Sequence, residues 1–179
     1  MTQIKINRAP VLTLWATVVA GCLGYDDEEA LTLGRAVAGL TAQAKGRNLG
    51  IFTPSSDEAR DKVRKDREEI GAGTVEMMDR IIPCVKTEDG IRALSKAMPI
   101  DPASVSKYLA GKFKEALPEV EKKLVALAET FTPEELNAEA MGVYMRLRPN
   151  VPKGIEGWGR AGLLDTSDID AMIRERSAA

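Results

Sequence analysis

The chain has 179 residues, of which 44% are hydrophobic and 29% charged. That composition predicts one globular domain able to bury a core without staples, and it excludes a disordered chain. The net charge of −2 gives no global field that would draw the molecule onto nucleic acid or membrane, so any site for a polyanion must be local. Histidine is absent, which excludes Ser-His-Asp and Cys-His catalysis and imidazole-based zinc sites, and two cysteines cannot complete a structural zinc site. No cofactor and no metal ion are expected, and a non-enzyme is favoured over an enzyme.

In chain order, Lys5 and Arg8 precede an apolar run at 11–19 that ends in Val19-Ala20-Gly21-Cys22. The arrangement resembles a bacterial lipoprotein signal. Leu12, Trp15, Val19 and Cys22 nevertheless recur at helical spacing, and the run is too short to span a bilayer. We therefore read it as a core helix from Pro10 to near Gly24, in a cytoplasmic protein whose Cys22 and Cys84 are thiols. Asp26 and Glu29 spell a capping box for a second helix reaching about Ala44. On it Ala30, Gly34, Ala38 and Ala42 form a small stripe beside Leu33, Val37 and Leu40, predicting a close helix pair over 10–44. A loop at 46–56 and a charged, solvated helix at 57–70 follow. Next comes a minor β-hairpin near residues 74–86, turning at Met78-Asp79 and confined to a sheet edge by Pro83.

From 87 onward the pattern predicts helices at 89–97, 102–117, 119–131 and 133–147, with a break at Pro118. Thr132, Pro133 and Glu135 give the last of these its cap, first position and capping-box acid. An irregular tail at 149–162 and a short helix at 167–174 close the chain. The predicted fold class is thus mainly α: a single compact helical domain over 1–179, with blocks at 1–56, 57–86, 87–148 and 149–179.

Three motifs bear on function. Gly157-Trp158-Gly159-Arg160-Ala161-Gly162 spells the dinucleotide-binding fingerprint, but it lacks the preceding strand and the following βαβ unit, so we read it as accidental. The acidic clusters at 26–29 and 134–139 could hold a metal or move protons, yet each stands at a predicted helix start, where the helix dipole accounts for it. Residues 91–112, IRALSKAMPIDPASVSKYLAGK, resemble the helix-turn-helix of repressor-type DNA-binding proteins.

In that resemblance Leu94, Met98, Ile100, Val105 and Tyr108 take the positions buried between the two helices. Asp101 and Pro102 start the second helix. Ser104, Ser106 and Lys107 face the bases, and Lys96, Lys112 and Lys114 meet phosphates. Pro99 departs from the pattern, which usually carries glycine at the turn. Residues 86–114 carry a surplus of three positive charges, in contrast to a deficit of five over 115–139. The resemblance implies a DNA-binding regulator or architectural protein acting on duplex DNA as a homodimer. The rival reading is a non-enzymatic interaction protein that offers the small-residue stripe to a partner or a second copy. A third is an enzyme working through carboxylates.

Overall fold

The computed structural model describes residues 3–48, 57–151 and 161–178, with side chains left aside at 45–48. The elements are β1 (Gln3–Asn7), α1 (Arg8–Cys22), α2 (Asp27–Asn48), α3 (Asp57–Glu69), β2 (Gly73–Met77), β3 (Arg80–Thr87), β4 (Gly90–Ser95), β5 (Met98–Pro99), α4 (Pro102–Phe113), α5 (Leu117–Ala128), α6 (Pro133–Leu147), β6 (Ala161–Asp165) and α7 (Thr166–Ser177). The molecule is mainly helical. Its β content is nevertheless larger than the one predicted hairpin: β2-β3-β4-β5 form an antiparallel sheet, and β1 pairs antiparallel with β6.

α1 has no polar face, and a helix apolar all round belongs in the middle of a fold. Ten of its 15 residues are buried, and it packs on α2, α4, α5 and α6. Trp15 is fully buried, and its indole Nε1–H donates to the Ala140 carbonyl of α6 at 2.9 Å. α2 lies along α1 through the predicted stripe. A Cβ built on Gly34 would come 2.7 Å from the Thr13 carbonyl oxygen and 2.8 Å from the Thr17 nitrogen, so glycine sets the approach distance. Ala30, Gly34 and Ala38 of the stripe are buried against the chain's own elements, and Ala42 is half-buried.

The start of α2 is fastened to the four-stranded sheet. Glu29 and Asp26 form the predicted capping box, with hydrogen bonds of 3.0 and 2.8 Å. The second Glu29 oxygen accepts the Ile91 N–H at 2.8 Å. One turn later the buried Thr32 hydroxyl accepts the Ala93 N–H at 3.1 Å and donates to the Glu29 carbonyl at 3.0 Å. Two amide donors of β4 are thus satisfied by side chains of α2. Arg92, almost wholly buried, pairs with Glu28 at 2.6 Å.

The predicted helix at 89–97 is not present; those residues form β4 and the turn after it. Gly90, at φ +115°, ends a tight turn in which the Thr87 hydroxyl donates to the Gly90 carbonyl at 2.7 Å. That φ is incompatible with a right-handed helix, and pairing from Cys84↔Ala93 to Thr87↔Gly90 fixes the strand. Lys96, at φ +56°, then turns the chain back into β5. The segment resembling a helix-turn-helix is accordingly strand, turn, short strand and helix. Leu94 and Val105 are buried as expected, Ile100 and Tyr108 are half-buried, and Met98 is 70% exposed.

The 74–86 hairpin forms, with Met78 and Asp79 both at positive φ, as a two-residue hairpin turn requires. Pro83, expected at an edge, stands in an inner strand. The β3–β4 pairing stops at Cys84, one residue short of the proline, which has no N–H to give.

α4 also ends earlier than predicted, at Phe113. Lys114 takes φ +52°, and a 3-10 turn leads into α5, placing Pro118 in a first turn where its missing N–H costs nothing. α6 begins with the complete Thr132–Glu135 capping box and Pro133. β6 occupies the end of the stretch read as irregular tail. Residues 152–160, with most of the Gly157 to Gly162 motif and Trp158, lie outside the described residues. α7 starts on an Asp165 cap and is held to α5 by Lys123–Asp170 at 2.7 Å. Among the described residues no helix is long and apolar enough to cross a membrane.

Candidate functional site

A groove of about 640 Å³ opens between α2, α4 and the β4–β5 turn, with Arg67 of α3 at its edge. Leu94 and Val105 are buried members of its lining, and the half-buried Tyr108 ring shares the wall. Three of its lining side chains are cationic, Arg35, Arg67 and Lys96, against one acid, Asp101. That acid is already engaged, since its Oδ1 accepts the Ala103 N–H at 3.1 Å as the cap of α4.

The cations are held in different ways. The Arg35 guanidinium lies over the Tyr108 ring, 4.8 Å from its centroid, and the Lys112 ammonium is 5.9 Å from the same centroid. The ring is thus flanked by two positive charges at cation–π distance. Burial raises the pKa of the Tyr108 hydroxyl and Arg35 opposes that shift, so the phenol is neutral near pH 7. Arg67 Nε–H donates to the Lys96 carbonyl at 2.7 Å, tying α3 to the turn and leaving the exposed Lys96 side chain at the rim. Among the described residues, Arg35, Lys96, Lys107, Lys112 and Lys114 make no salt bridge.

Of the site residues predicted from sequence, Lys96 and Ser104 line this groove, and Lys112 stands beside its aromatic wall. Ser104 Oγ–H donates to the Asp101 carbonyl at 2.8 Å in the first turn of α4. Lys107 is exposed on the same outward face, three residues on from Ser104. Ser106 lies on the other flank of α4, along a second groove, and is not part of this set. Lys114 is exposed beyond the helix end.

Sequence reading did not find Arg35 and Arg67. Arg35 sits among the small residues of α2, 73 positions before Tyr108 in the chain, and no local pattern couples them. Tyr108 was assigned to the core; its cation contacts show that its ring also meets the surface.

The other candidates are accounted for by structure. Glu29 and Glu135 serve capping boxes, and no group of three or more Cys, Asp or Glu side chains among the described residues is placed to hold a metal ion. Cys84 is buried, which pushes its thiol up to about 11, and Cys22 is raised by burial and then by Glu129, so neither is an activated thiolate. No family model, no curated protein and no solved structure matches the chain.

Proposed function

We infer that the protein binds duplex DNA through its phosphate backbone, using the outward face of α4 and the cationic groove beside it. The observation that carries this reading is that Arg35 and Lys112 flank the Tyr108 ring and Lys96 lines the same groove, none of them in a salt bridge among the described residues. Cations without carboxylate partners are free to neutralise phosphates and release counterions. Lys107 extends the same exposed face, beside Ser104, whose hydroxyl is held by the Asp101 carbonyl. The contact unit is one helix flanked by a hairpin turn, so the reading no longer depends on two helices crossing at a repressor angle. It supports backbone binding and assigns no base readout. A cytoplasmic, DNA-associated regulator or architectural protein fits it, and a homodimer would present two such faces.

The test is fluorescence anisotropy of a labelled random-sequence duplex with the wild-type protein and with Arg35→Ala, Lys96→Ala, Lys107→Ala and Lys112→Ala. Each substitution should weaken binding about fivefold, the order of one exposed charge contact, while Ser106→Ala leaves it unchanged. Affinity equal to wild type in all four lysine and arginine variants would overturn the assignment.

A further inference from the structure

A second groove, of about 660 Å³, lies on the opposite side of α4, between α1, the start of α2 and α5. Its walls are largely apolar: Leu14, Val18, Leu31, Leu109, Leu117 and Val125 all contribute. Its ionisable carboxyl groups are Asp27, Glu121 and Glu129, all exposed, and no lysine or arginine lines it. Glu129, which closes the end of α5, and Cys22 of α1 both line this cleft.

We propose that this groove binds an amphiphilic organic cation, with one ammonium group on an apolar body. The size falls in the ordinary range for small-molecule sites, and such sites combine apolar walls with a few polar groups that fix orientation. An apolar body displaces water from the leucine and valine walls. An ammonium at the rim meets either Glu121 or Glu129, which stand at opposite ends of α5, with no competing cation in the lining. A carboxylate or phosphate amphiphile would meet like charge there and is disfavoured. The site is separate from the cationic groove: Leu109 and Ser106 of α4 face this cleft, whereas Ser104 and Tyr108 face the other.

Isothermal titration calorimetry with n-octylammonium, n-octanol and octanoate tests the proposal on the intact protein. Octylammonium should bind tightest and octanoate weakest. Glu121→Gln and Glu129→Gln combined should weaken octylammonium about fivefold and leave octanol unchanged, because only the charge contact is removed. Both positions are exposed, so the double variant keeps the fold, and its urea unfolding curve confirms that. Equal binding of all three probes, octylammonium affinity indifferent to both substitutions, or no octylammonium binding at all would each overturn the proposal.

Discussion

Gly34 is the residue at which the α1–α2 pair is most sensitive to a single atom. Its missing Cβ would meet backbone on α1, and backbone cannot rotate away. Gly34→Ala should destabilise by about 1–3 kcal/mol, the usual cost of overpacking, read as a lower urea midpoint with unchanged slope. An unchanged midpoint would contradict the packing. Two positions away, Thr32→Val should cost about 1–3 kcal/mol by leaving the Ala93 N–H buried without an acceptor, and Thr32→Ser should recover most of it. These neighbours differ in how far the sequence revealed them. The small stripe repeats every four residues and announces a close helix, so Gly34 was legible. Thr32 finds its partner 61 residues away, and nothing near it in the chain says so.

At the scale of elements, the helix caps were read correctly because a cap is a contact between near neighbours in sequence. The Asp26–Glu29 and Thr132–Glu135 boxes both form. Residues 90–95 were misread because Ile91 and Leu94 fit a helix, while the deciding contacts are long-range: pairing to β3 and the hold of Glu29 on the Ile91 N–H. β1 and β6 were missed for a similar reason, since five-residue strands whose partners lie at opposite ends of the chain leave little local signature.

The caps also set an acid response. The Glu135 carboxyl is held below its ordinary range first by its hydrogen bond with the Thr132 backbone, and Asp165 first by the Ser167 hydroxyl. In the folded state both bind protons less readily than in the unfolded chain. Their stabilisation is therefore complete above the ordinary carboxylate range and is lost as pH falls through the lowered folded-state values. The urea midpoint should drop between about pH 5 and about pH 3, and by less in Glu135→Gln than in wild type. With no histidine, stability should be level from about pH 6 to about pH 8.

At the scale of the molecule, an acidic chain keeps a cationic face by distributing its charge unevenly. Glu29 and Glu135, in the first turns of α2 and α6, are used in caps, and α5 and α7 are cross-tied by Lys123–Asp170, with Arg146–Glu175 tying α6 to α7. Around α4 the cations Arg35, Lys96, Lys107 and Lys112 keep no carboxylate partner among the described residues. The local positive surplus over 86–114 was legible in the sequence, but the groove was not. It draws Arg35 from α2, which packs along α1, and Arg67 from α3, which its hydrogen bond to the Lys96 carbonyl ties to the turn.

The salt dependence of binding to a random duplex tests most directly the proposal that this face neutralises DNA phosphates. Each phosphate neutralised contributes about −0.9 to the slope of log K against log salt. Engagement of three or four of these cations predicts a slope of about −3, flattened by about 0.9 in Lys112→Ala. A slope near zero, or no binding tighter than about 10⁻⁴ M at low salt, would contradict the account.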